Sequence, residues 1–148
     1  MATNPDFKDL FIILNEESVE YLLVGARAMA YYAEPHSTKE EIWVRPSREN
    51  GERVCRALGR FFGAAPDDVS AQDFADPETV YQIGVAPSRV DLIAGIADVE
   101  FAEAWARRIE STYGDVPIHV LGKEDLIRAK RAAGRPQDLL DVDKLEKA

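Results

Sequence analysis

Apolar positions along this chain recur with two different periods, and the order of those periods predicts its elements. Phe7, Leu10, Phe11 and Leu14 lie on one side of a helix that opens at Asn4-Pro5, an N-cap followed by proline at the first helical position, and runs to about Glu16. Val19 to Gly25 is a short apolar run closed by glycine, which predicts a buried strand. The alanine-rich residues 26–34 predict a second helix, stopped by Pro35 because proline disfavours helical geometry in the residue before it. A loop is expected over His36 to Lys39. Glu41 to Val44 reads as a second strand ending at Pro46, and Ser47 is placed to cap a helix whose Val54, Leu58, Phe61 and Phe62 share one side.

Residues 64–79 are rich in Ala, Asp and Pro without sustained periodicity and predict a surface loop. Tyr81, Ile83 and Val85 then alternate with Gln82, Gly84 and Ala86. Pro87-Ser88 separates them from a run over Arg89 to Ile96, so a hairpin is expected. Phe101, Trp105 and Ile109 fall at helical spacing behind Asp98 as a cap, and Val116 to Leu121 is a further strand. The tail predicts one helix from Lys123 to about Gly134 and another from Pro136, carrying Leu139, Leu140, Val142 and Leu145. The class this order implies is α/β (α+β).

Composition narrows the picture. The chain has 148 residues, 46% hydrophobic and 30% charged, the balance of one globular domain over 1–148. Its net charge of -9 argues against a broad DNA- or RNA-binding surface, which needs clustered Lys and Arg to displace counterions, while leaving room for a local basic patch. The single Cys55 excludes a disulfide framework within the chain. With no basic-then-apolar leader and no run of about 18 apolar residues, a soluble, unprocessed, cytoplasmic protein without membrane contact is expected.

Three separated pieces carry the candidate chemistry. In Val24-Gly25-Ala26, glycine permits a tight turn and close approach of a phosphate, and the Ala26 amide at a helix start offers an anion site. Arg27 either adds charge there or solvates the helix. Glu40-Glu41 opens the second strand, where the bland reading is a solvated strand end. Asp91 interrupts Val90, Leu92 and Ile93, where a buried carboxylate needs a ligand, a cation or a salt bridge to Arg89 or Arg45. Lys130, Arg131 and Arg135 cluster in an otherwise acidic chain. They suit the counter-charge of a triphosphate, or a helix face paired with Glu124, Asp125 or Asp138. His36 and His119 form no metal or triad signature, and Tyr31, Tyr32 and Trp43 read as core or cleft wall.

Through Tyr21-Leu22-Leu23-Val24-Gly25, Thr38-Lys39, Ile42-Trp43-Val44, Arg89-Val90-Asp91-Leu92, Glu124-Asp125-Leu126-Ile127 and Lys130 to Asp141, nearly the whole chain resembles the nucleotidyltransferase superfamily. The resemblance is closest to small bacterial proteins related to the enzyme component of abortive-infection type IV toxin-antitoxin systems. It implies a small mixed sheet flanked by helices, with a core over 5–97 and an extension over 98–148. It also implies Mg2+- or Mn2+-assisted transfer of a nucleoside monophosphate from an NTP to a hydroxyl of RNA, protein or a small molecule. Glu40, Glu41 and Asp91 would be the catalytic, metal-holding acids, and Gly25, Ala26, Arg27, Lys130 and Asp138 would face the nucleotide. An antitoxin or other protein partner is implied as well.

The chain departs from the family pattern in three places. Ala26 stands where the family has glycine or serine, both first-motif acids are glutamates, and the apolar residue that separates them is missing. Acids at i and i+2 on a strand face one way, whereas adjacent ones face opposite ways. An active site therefore requires a bulge at Glu40-Glu41. A regular strand, with Glu41 beside Trp43 and Glu40 beside Ile42 and Val44, marks the alternative: a catalytically degenerate member acting as a nucleotide-binding or protein-interaction module.

Overall fold

The computed structural model describes residues 5–34, 40–84 and 89–148, with side chains from Phe7 onward in the first helix. Asn4, Pro35, the expected loop over His36 to Lys39, and Val85 to Ser88 with the expected hairpin turn lie outside the described residues. The elements in chain order are α1 (Pro5–Glu16), β1 (Tyr21–Leu23), α2 (Ala26–Tyr32), β2 (Glu40–Val44), α3 (Arg48–Phe62), β3 (Val80–Ile83), β4 (Val90–Ile93), α4 (Phe101–Ala106), β5 (Ile109–Tyr113), β6 (Val116–Val120), α5 (Lys123–Ala133) and α6 (Pro136–Lys147). The chain is thus a mixed α/β protein with, among the described residues, a six-stranded sheet and six α-helices.

The sheet order is β3-β4-β2-β1-β6-β5. β2 runs antiparallel to β1 and parallel to β4, β1 runs parallel to β6, and β3 and β5 close the two edges as antiparallel partners of β4 and β6. The two central strands are apolar on both sides, as a covered sheet demands: Tyr21, Leu22 and Leu23 of β1 and Ile42, Trp43 and Val44 of β2 are all buried. On one face Phe11 of α1 packs between Tyr21 and Tyr113, and α1 lies against α3. On the other face Trp43 meets Phe101 of α4 edge-on, with α5 and α6 paired beside it.

Local signals set the helix ends. The Ser47 hydroxyl accepts from the Asn50 amide at the start of α3, and Gly63 (φ 83°) and Gly134 (φ 68°) terminate α3 and α5 in the left-handed region that glycine tolerates. Gly51 faces the loop over 64–79, where a short 3-10 turn (Asp73–Ala75) buries Phe74.

One element differs from expectation. The helix holding Phe101 and Trp105 ends at Ala106, and Ile109 begins β5 instead of continuing it. Ile109, Ser111 and Tyr113 follow a strand period and pair with Val120, Ile118 and Val116 across the turn at Gly114 (φ 64°), so strand pairing overrides the 101/105/109 spacing. Asp98 is not the cap of α4; Glu100 occupies that position, with no side-chain capping bond. Residues 98–148 thus supply two of the six strands as well as three helices.

Candidate functional site

The pairing of β2 with β4 fixes the geometry of the acids. Glu40, Glu41, Ile42 and Trp43 stand in unbroken register with Val90, Asp91, Leu92 and Ile93. Without a bulge, side chains alternate, and paired residues of neighbouring strands point to the same side about 4.8 Å apart. Glu41 and Asp91 therefore share the α4–α6 face with Trp43 and Ile93. Glu40 shares the opposite face with Ile42 and Val44. The expected convergence of Glu40, Glu41 and Asp91 is corrected accordingly: the missing spacer turns one acid through the sheet. Among the described residues no group of three His, Cys, Asp or Glu side chains is arranged to hold a metal ion, so a three-acid Mg2+ set does not fit.

Each acid has its own environment. Asp91 is buried and accepts two bonds from the Arg89 guanidinium, both 3.1 Å. The salt bridge weighed from sequence is therefore present. The Glu41 carboxylate makes no hydrogen bond or ion pair among the described residues. Its charge does reach two guanidiniums, each held more firmly protonated: Arg89 chiefly by Asp91, Arg135 chiefly by Asp138, and both in smaller part by Glu41.

Glu40 is buried at the start of α2, where Oε1 makes a long 3.4 Å contact with the Arg27 amide. Burial pushes its carboxyl up to about 7, against the smaller opposing effect of Arg27. Gly25 has φ −93° and ψ −138°, neither helical nor extended, as the N-cap residue of α2. At the α2 start, where the sequence suggests a phosphate seat at Gly25 and Ala26, the chain's own Glu40 carboxyl meets the next amide, that of Arg27.

Lys130 and Asp138 do line the cleft with Glu41. Between the sheet and α5–α6 lies a cavity of about 130 Å³ whose lining includes Val24, Glu41, Ile93, Lys130, Arg135 and Asp138. Its cations are already engaged. Lys130 Nζ lies 2.8 Å from Asp141 Oδ2 and 3.9 Å from Asp138, and Arg135 Nε donates to Asp138 at 2.6 Å. Burial works to raise the Asp138 carboxyl, but Arg135 and Lys130 outweigh it and hold it below the usual carboxylate range. Asp138 also accepts from the Arg135 amide, so it caps α6. Arg131 points elsewhere, to Glu146.

Arg27 does not join this cleft. It lies over the Tyr113 ring, 4.6 Å from the centroid, in a separate groove beside α2. Of the basic cluster read from the sequence, Arg135 lines the cleft beside Lys130, as the N-cap residue before Pro136 at the start of α6. Fold and cleft together define a mixed α/β protein with a small cleft on one sheet face whose cations are held by acids. No family model matches the chain, and no curated protein matches it. Among the described residues no helix is long and apolar enough to cross a membrane.

Proposed function

We propose that this chain is a nucleotidyltransferase-like domain in which transfer chemistry has been lost and the cleft between β2, β4 and α5–α6 serves binding. The observation that carries this reading is the regular register of β2 on β4, which leaves two acids on the cleft face where the family chemistry uses three. Two features support it. Asp91 is met by Arg89, and Lys130 and Arg135 are met by Asp141 and Asp138, so these cations are already engaged, and of the cleft's acids Glu41 alone lacks an ion pair among the described residues. Its volume of about 130 Å³ is also below the ~300–1,000 Å³ usual for small-molecule pockets, enough for part of a nucleotide or one side chain of a protein partner.

The test is transfer itself. Incubation with each labelled NTP, Mg2+ or Mn2+, and total tRNA or protein should give no labelled product above that of Asp91→Asn. A label that depends on Asp91 would overturn the reading.

The pairing of Glu41 with Asp91 favours a second reading, retained nucleotidyl transfer, since Mg2+ is commonly held by one or two carboxylates together with substrate phosphates. Restoring the family pattern separates the two. Insertion of one apolar residue between Glu40 and Glu41, with both changed to Asp, should create metal-dependent NTP binding if the natural chain has lost it.

A further inference from the structure

A second candidate site lies away from the cleft. The groove beside α2 measures about 600 Å³, within the ~300–1,000 Å³ of small-molecule pockets, and shares no lining residue with the Glu41 cleft. Arg27, Tyr31, Glu34, Ser111 and Thr112 line it, bringing the α2 face against the edge strand β5. Arg27 is half-buried, and among the described residues its guanidinium makes no hydrogen bond and no ion pair. Its Nε is fully shielded and has no partner. The two Nη groups of the same planar fork have no protein acceptor among the described residues, and they are the donors left for a ligand.

The guanidinium is nevertheless fixed in place. Its Cζ lies 4.6 Å from the centroid of the Tyr113 ring, a cation–π contact that holds the group against that ring. Glu40 of β2 meets the Arg27 backbone amide and not the guanidinium, and burial favours its neutral form up to about pH 7. Glu34 lines the groove but makes no ion pair with Arg27. Ser111 and Thr112 offer hydroxyls, and half-exposed Tyr31 offers a ring.

We infer that this groove binds a small ligand bearing an oxyanion, carboxylate or phosphate, on an aromatic ring. The oxyanion takes the two Nη nitrogens of Arg27, and the ring lies against Tyr31. Planar oxyanions match the guanidinium bidentately, which is why arginine and not lysine suits such a site.

The experiment is a titration of the full chain with benzoate, phenyl phosphate and inorganic phosphate, following the Arg27 Nε–H resonance and the backbone amides by NMR. At least one of the two aromatic probes should shift the Nε–H resonance saturably and bind at least tenfold more tightly than inorganic phosphate. Which of the two binds tells carboxylate from phosphate. Arg27→Gln should weaken that binding at least tenfold, and Ala30→Trp, which fills the groove, should do the same. Glu41→Gln in the other cleft should leave it unchanged. If none of the three probes moves the Nε–H resonance, or if Ala30→Trp folds and binds as the natural chain does, the inference is wrong.

Discussion

Glu40 shows how one residue changes the chemistry of this sheet. A carboxyl placed at a buried strand position, against the start of α2, is held neutral into the neutral pH range by the loss of hydration. The sign of its effect on stability follows. Below about pH 4.5, its ordinary value, both folded and unfolded chains are protonated and nothing is lost. As pH rises toward about 7 the unfolded chain ionises first, and stability falls by on the order of 3 kcal/mol, complete once the folded carboxyl also ionises. Glu40→Gln keeps an acceptor for the Arg27 amide and cannot ionise. Urea unfolding from pH 4 to 8 should show the decline in the natural chain and a flatter profile in the variant; equal slopes would refute the burial of an ionisable Glu40. The sequence could not announce this placement, since Glu-Glu at a strand start reads as solvated surface, and only the register with Val90 and Asp91 shows which acid faces which side.

At the scale of elements, the helices were legible where caps and breakers punctuate the chain. Ser47, Gly134 and Pro136 each mark an end found in the fold. Ser47→Ala should lower stability by about 1 kcal/mol, the usual cost of losing such a cap, read as a shift in the urea midpoint. A larger effect belongs to Gly51. A Cβ there would lie 2.3 Å from the Ala71 carbonyl oxygen, so Gly51→Ala forces α3 away from the loop that buries Phe74. Thermal unfolding should report a loss of about 1–3 kcal/mol, and an unchanged midpoint would show the contact to be slack. β5 was not legible, because Phe101, Trp105 and Ile109 mimic a helix period, and the strand exists only through its pairing with β6. The same limit applies to the site: residue types and order pointed to Glu41, Asp91, Lys130 and Asp138, while the assignment of Arg27 and Glu40 to other surroundings depends on long-range pairing.

Taken as a whole, the molecule places a cleft with engaged cations on one sheet face and an arginine with an unpartnered Nε in a groove beside α2. The proposed loss of transfer chemistry depends on the first of these, because Arg89, Lys130 and Arg135 already answer Asp91, Asp141 and Asp138. A divalent cation has little to gain there unless both glutamates face it. The most direct measurement is calorimetric titration of the natural chain with each NTP, run with Mg2+ and again with a chelator. The account predicts no more than a twofold difference in affinity between the two conditions for any NTP. An affinity at least tenfold higher with Mg2+, abolished by Asp91→Asn, would contradict it and return Glu41 and Asp91 to the role of a working metal site.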